Sequence, residues 1–132
     1  MHRGINRAEV AIEHLDVSAY TVPTDFPESD GTLEWDSTTI VVVEVTAGEA
    51  RGLGYTYADT ATARLIHDRL REVVCGREAM EVTGTWAAMA QAIRNLGRPG
   101  IAAMAISAVD AALWDLDRFS DQCRGRPVCL PR

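Results

Sequence analysis

The stretch from Ile101 to Leu116 constrains this chain more than any other. Apolar residues recur at Ile101, Met104, Ala105, Ala108, Val109, Ala112, Leu113 and Leu116, the spacing of one helix face, with Ser107, Asp110, Trp114 and Asp117 on the other side. Ala102, Ala103, Ile106 and Ala111 widen the stripe past half the circumference, the pattern of a helix packed on more than one side. Such a helix cannot stand alone. The rest of the chain offers two short helices and three strands to bury it, so further mass, either more polypeptide or a second subunit, is expected to cover what remains.

What precedes that helix changes character near Ala58, from β-branched and aromatic residues to alanine, leucine and arginine. Strands come first and helices second. Ala8 to Tyr20 reads as one strand whose apolar phase slips between Val10, Ile12 and Leu15, Val17, Ala19, the mark of a bulge. Pro23 to Trp35, with two prolines, Gly31 and several carboxylates, reads as a solvated, irregular loop. Thr38 to Thr46 is a β-branched run with the composition of a buried strand. The short turn at Ala47 to Ala50 then favours an antiparallel hairpin with a third strand, Gly52 to Tyr57.

Beyond it, Ala63, Ile66, Leu70 and Val73 predict a helix capped by Asp59 or Thr60 and closed by Gly76. Trp86, Met89, Ala90 and Ile93 predict a second, with Thr83 or Thr85 as cap and Gly97 past its end. The fold class is therefore α+β: a three-stranded antiparallel meander followed by a helical bundle on one face.

Function is bounded mainly by what is missing. All thirteen basic residues are arginine, so Schiff-base lysines, phosphate-loop lysines and lysine general bases are excluded. A net charge of −6 without a basic block argues against nucleic acid as a partner. No apolar run reaches the roughly 18 residues of a membrane span, and Met1 to His14 lacks the apolar stretch of a signal peptide, so a cytoplasmic chain is expected. Cys75, Cys123 and Cys129 have no paired spacing and read as free thiols.

The candidate chemistries are mostly ordinary structure. His2, His14 and His67 are far apart and lack ligand spacing, so they read as structural or surface histidines rather than as the base of a small enzyme. Asp25, Glu28, Asp30, Glu34 and Asp36 fail the calcium-loop spacing, because aligning Gly31 puts Phe26 first and Ser37 last. Gly52-Leu53-Gly54 could open a dinucleotide fingerprint, but Tyr57 replaces the third glycine. No catalytic constellation and no metal set emerges. Tyr55 and Tyr57, with Phe26 and Trp35, could line a binding face, since aromatic side chains offer area and, in tyrosine and tryptophan, a polar tip.

The segment Gly97-Arg98-Pro99-Gly100 followed by Ile101 to Leu116 resembles the first signature of the mandelate racemase and muconate lactonizing enzyme family of the enolase superfamily. Tyr20-Thr21-Val22-Pro23, Thr38 to Thr46 and Gly52-Leu53-Gly54-Tyr55-Thr56-Tyr57 are similar to the same family's N-terminal region. The resemblance implies the N-terminal capping domain, over about residues 1–116, which closes on a β/α-barrel where Mg²⁺ and a base assist proton abstraction α to a carboxylate. It also implies specificity loops on Thr21 to Trp35 and Gly54 to Ala58, and thus Phe26, Tyr55 and Tyr57 as substrate-binding residues.

After Leu116 the family pattern lapses, and residues 117–132 read as a divergent tail. A barrel takes roughly 200 further residues, and the Lys-x-Lys motif of many members cannot occur without lysine. The expectation is the cap of an acid-sugar dehydratase or racemase, inactive alone, holding no cofactor itself, with Mg²⁺ and a small carboxylate substrate bound only in a barrel-containing enzyme. Its expected partner is a barrel domain, or a second copy through the apolar helix. The alternative is a free-standing interaction module that uses helix 101–117 for the same contacts.

Overall fold

The computed structural model describes residues 10–122. Three antiparallel strands, β1 (His14–Ser29), β2 (Glu34–Ala47) and β3 (Ala50–Tyr57), form one sheet in the order β1-β2-β3. The helices are α1 (Thr60–Leu65), a π-helical turn (Ile66–Leu70), α2 (Arg71–Val74), α3 (Val82–Ala92), a 3₁₀ turn (Arg94–Leu96) and α4 (Ile101–Gln122). The α+β meander with helices on one face is the architecture expected from the sequence.

The core lies between the sheet and the helices. On β2 the alternate residues Val41, Val43, Val45 and Ala47 are buried toward the helices, where Leu15 of β1, Ile66, Leu70, Val74, Met89, Ile93 and the buried face of α4 join them. Gly52 and Gly54 let α4 lie directly on β3. A Cβ at Gly54 would stand 2.1 Å from the Ala108 carbonyl oxygen, and one at Gly52 2.1 Å from that of Ala112. The Gly-x-Gly pair therefore serves a backbone approach between helix and strand.

α4 is buried along Ala102, Ala105, Ile106, Ala108, Val109, Ala112, Leu113 and Leu116. This corrects the expected stripe: Ile101 and Met104 are exposed, while Ala102 and Ile106 are buried. It also narrows the expected need for further mass, because the sheet with α1 and α3 covers the central arc. What stays open is Ala103, Met104, Ser107, Ala111 and Trp114.

Four other expectations change. Of the strand expected over Ala8 to Tyr20, Ala8 and Glu9 lie outside the described residues, and β1 begins at His14, since Val10 to Ile12 pairs instead with the turn after α2: Ile12 N–H donates to the Arg77 carbonyl and Ala79 N–H to that of Val10, at 2.8 and 2.9 Å. The apolar phase slip is this change of partner, not a bulge. Thr83 and Thr85 lie inside α3, and the Thr85 hydroxyl donates back to the Glu81 carbonyl at 2.9 Å rather than capping a helix. The first helix passes through the π turn, which the periodicity did not reveal. The irregular loop is the fourth.

Candidate functional site

Pro23 to Trp35 is exposed, as expected, but it is an extended hairpin. β1 and β2 continue to pair beyond the sheet, and only Asp30 to Leu33 turns. Asp30 makes that turn. Its Oδ1 accepts from Thr32 N–H at 2.9 Å, the Thr32 hydroxyl at 2.7 Å and Leu33 N–H at 2.9 Å, while Gly31 takes φ +91°. These donors, the Thr32 hydroxyl foremost, lower the Asp30 pKa to about 2.

One irregularity breaks the hairpin. Pro23 pairs with Ser37 and Glu28 with Trp35, so Thr24, Asp25, Phe26 and Pro27 stand opposite the single residue Asp36. The bulge is held at its base by the Trp35 indole N–H donating to Glu28 Oε2 at 3.0 Å, and inside by the Thr24 hydroxyl donating to the Phe26 carbonyl at 2.7 Å. Phe26 projects from it, 80% exposed. Pro27 cannot donate to a ladder, and Pro23, itself still opposite Ser37, has no N–H to donate either, so the extra residues collect between them.

Tyr55 and Tyr57 lie on β3 and face away from the helices, on the opposite side of the sheet from Gly54 and Thr56. Their rings meet edge to face, with centroids 5.8 Å apart. Tyr57 pairs with Ile40, and Ile40 with Tyr20. Phe26, at the level of Asp36, is about four residues or ~13 Å further along the hairpin. The fold thus brings the three aromatic residues to one end of the sheet without putting Phe26 in contact with the tyrosines.

The sequence reading missed the neighbours of that tyrosine pair. Successive rows across the outer sheet face are Val22–Thr38, Tyr20–Ile40–Tyr57, Ser18–Val42–Tyr55 and Asp16–Glu44–Leu53. Tyr20, Val22 and Leu53 are exposed, and Ile40 and Val42 are half-buried. The alternation of Ser18, Tyr20 and Val22 with Ala19 and Thr21 was the available signal.

Among the described residues, no three His, Cys, Asp or Glu side chains gather in a way that could hold a metal ion. His67 Nδ1 lies 2.9 Å from Asp68 Oδ1 and, with Arg64 at 2.8 Å, holds that carboxylate below its usual range, but the group sits on an exposed helix surface. Burial raises the Cys75 thiol. His2, Cys123 and Cys129 lie outside the described residues. No described helix is long and apolar enough to cross a membrane.

The model of the mandelate racemase / muconate lactonizing enzyme N-terminal domain matches residues 11–122. The chain belongs to that family. A mandelate racemase/muconate lactonizing enzyme-like protein from Rubrobacter xylanophilus is 56% identical with a TM-score of 0.81, over 83% of this chain and 31% of its own. A racemase from Streptomyces coelicolor A3(2), solved with bound magnesium, is 32% identical with a TM-score of 0.80, over 83% of this chain and 32% of its own. A putative L-rhamnonate dehydratase from Caldivirga maquilingensis is 42% identical over 67% of this chain and 22% of its own length. The chain thus spans at most about a third of these relatives.

Proposed function

We propose that this chain is the substrate-selecting cap of an acid-sugar dehydratase or racemase that removes a proton α to a carboxylate with Mg²⁺ assistance. The observation that carries the reading is the hairpin bulge at Thr24 to Pro27, pinned at both ends, which holds a large apolar ring out in solvent at the end of the domain. An exposed phenylalanine on an anchored bulge gains little burial energy within this chain, which leaves its ring available to cover something else. Phe26 is suited to closing over a bound substrate and excluding water, with Tyr57 offering a hydroxyl to its distal end and Tyr55 packing edge-on behind Tyr57.

This chain supplies shape and dryness rather than the proton transfer. Asp25 and Asp36 lie at the bulge, but among the described residues no three acidic, histidine or cysteine side chains gather to hold a metal ion, Asp30 being engaged by its own turn and Glu28 by Trp35. The metal chemistry belongs, on this reading, to the barrel that completes the enzyme. A dehydratase and a racemase are both named among the relatives, and the described residues favour neither.

The test is α-proton exchange in D₂O with Mg²⁺ and a panel of sugar acids. The isolated chain is expected to catalyse none, and exchange that survives repurification would overturn the reading. The rival interaction module rests on the open arc of α4, Met104, Ser107, Ala111 and Trp114. It would show itself as an oligomer lost on Ala111→Glu.

A further inference from the structure

We infer that Trp35 is a positioning residue for Phe26, and that its bond to Glu28 decides whether the hairpin presents that ring in one fixed place. The inference rests on the substrate-selecting role proposed for Phe26 and names what holds it there.

The hairpin beyond the bulge is small. Past Thr24 to Pro27 only two rows pair, Glu28–Trp35 and Ser29–Glu34, before the Asp30 turn. A two-stranded remnant of that size is marginal in water. If its first row opened, the bulge and the turn would merge into one loop from Thr24 to Asp36, and Phe26 would share the freedom of the whole loop.

Trp35 closes that row. Its indole N–H donates to Glu28 Oε2 at 3.0 Å, directly across the pair. The acceptor is a carboxylate, which makes the bond stronger than one between neutral groups. Trp35 is also the single half-buried residue between 25 and 37, where every other one is exposed. A large ring that finds cover in an otherwise exposed segment supplies the apolar contact that two short rows lack.

Inside the bulge the chain is already stiff. Pro27 fixes its own φ and confines Phe26 to extended backbone, and the Thr24 hydroxyl donates to the Phe26 carbonyl at 2.7 Å. Local chemistry thus sets the shape of the bulge, and Trp35 sets its attachment to the sheet. A ring held in this way loses little further freedom when a substrate arrives, which favours binding.

Nitrogen-15 relaxation of the full chain is expected to give order parameters of about 0.8 at the Thr24, Asp25 and Phe26 amides. Trp35→Phe keeps a ring and removes the donor, while Glu28→Ala removes the acceptor. Each is expected to lower those values below about 0.6 and leave the β2 core amides unchanged. Glu28→Gln retains an acceptor oxygen and is expected to stay near the wild-type values. Bulge amides unmoved by both Trp35→Phe and Glu28→Ala, or as loose in Glu28→Gln as in Glu28→Ala, would overturn the inference.

The consequence for substrate is read in an enzyme in which residues 11–122 replace the matching segment of the Streptomyces coelicolor racemase. Trp35→Phe is expected to raise KM about fivefold at nearly constant kcat, and to add nothing once Phe26 is replaced by alanine. A KM that rises on Phe26→Ala but ignores Trp35→Phe, or two effects that simply add, overturns the inference and leaves the role of Phe26 standing. A KM that ignores Phe26→Ala overturns both.

Discussion

The Asp115 carboxylate of α4 accepts the Leu53 amide N–H at 2.8 Å, joining the helix to the free edge of β3 across 62 residues. The bond has two consequences: it fixes the register of α4 along β3, and it covers an edge donor that would otherwise be open to another strand. Asp115→Ala is expected to cost about 1 kcal/mol, because an edge amide loses its charged acceptor and only water can replace it. Hydrogen exchange at Leu53 is the check: accelerated exchange with the other β3 amides unchanged agrees, and unaltered protection does not.

Gly52 and Gly54 set the distance between that helix and strand. Gly54→Ala places a methyl against the Ala108 carbonyl, which must move away with its helix, at a cost of about 3 kcal/mol or more. Chemical denaturation should show the loss, with Gly31→Ala as contrast: there the strain is confined to one exposed turn with a positive φ. A Gly54→Ala variant as stable as the parent would contradict the close approach.

The Thr62 hydroxyl in α1 is fully buried and has no hydrogen-bond partner among the described residues. Thr62→Val keeps the β-branched shape and removes an unsatisfied polar group, so stability should rise by about 1 kcal/mol. Thermal unfolding of the pair of proteins decides it; a lower midpoint for the valine variant would mean that the hydroxyl is satisfied.

Two carboxylates move in opposite senses with pH. Asp30, with its pKa lowered to about 2, stabilises the hairpin turn fully above its unfolded value, and that contribution is lost as the pH falls toward 2. Burial raises Asp110, a shift that its hydrogen bond to Trp114 only partly offsets, so its ionisation works against folding as the pH rises past the ordinary aspartate value. Asp110→Asn should therefore raise the melting temperature at neutral pH and leave it unchanged well below pH 4. Carboxyl chemical shifts across that range check both groups.

How far the sequence carried the fold follows from where local pattern and tertiary contact agree. The Thr38 to Thr46 run, the hairpin into Gly52 to Tyr57 and the Asp59 cap were legible because each depends on neighbours in the chain. The buried arc of α4 was not, since which half of a nearly all-apolar helix faces inward is chosen by glycines 50 residues or more away. Pro23 to Trp35 looked like a loop because prolines and carboxylates signal one. Its pairing survives because the prolines flank a bulge and Asp30 supplies the turn. Phe26, Tyr55 and Tyr57 were nominated by residue type and resemblance. Their spacing, with Phe26 well beyond the tyrosines, needed the register.

The role of the bulge can be measured most directly in a hybrid enzyme. Residues 11–122 would replace the matching segment of the Streptomyces coelicolor racemase, and α-proton exchange would be followed with Mg²⁺ over a panel of sugar acids. The account predicts exchange in the hybrid, and a rise in KM of about tenfold on Phe26→Ala, near 1.4 kcal/mol, with kcat changed far less. A folded, active hybrid whose KM for every substrate ignores Phe26→Ala and Tyr57→Phe would contradict it.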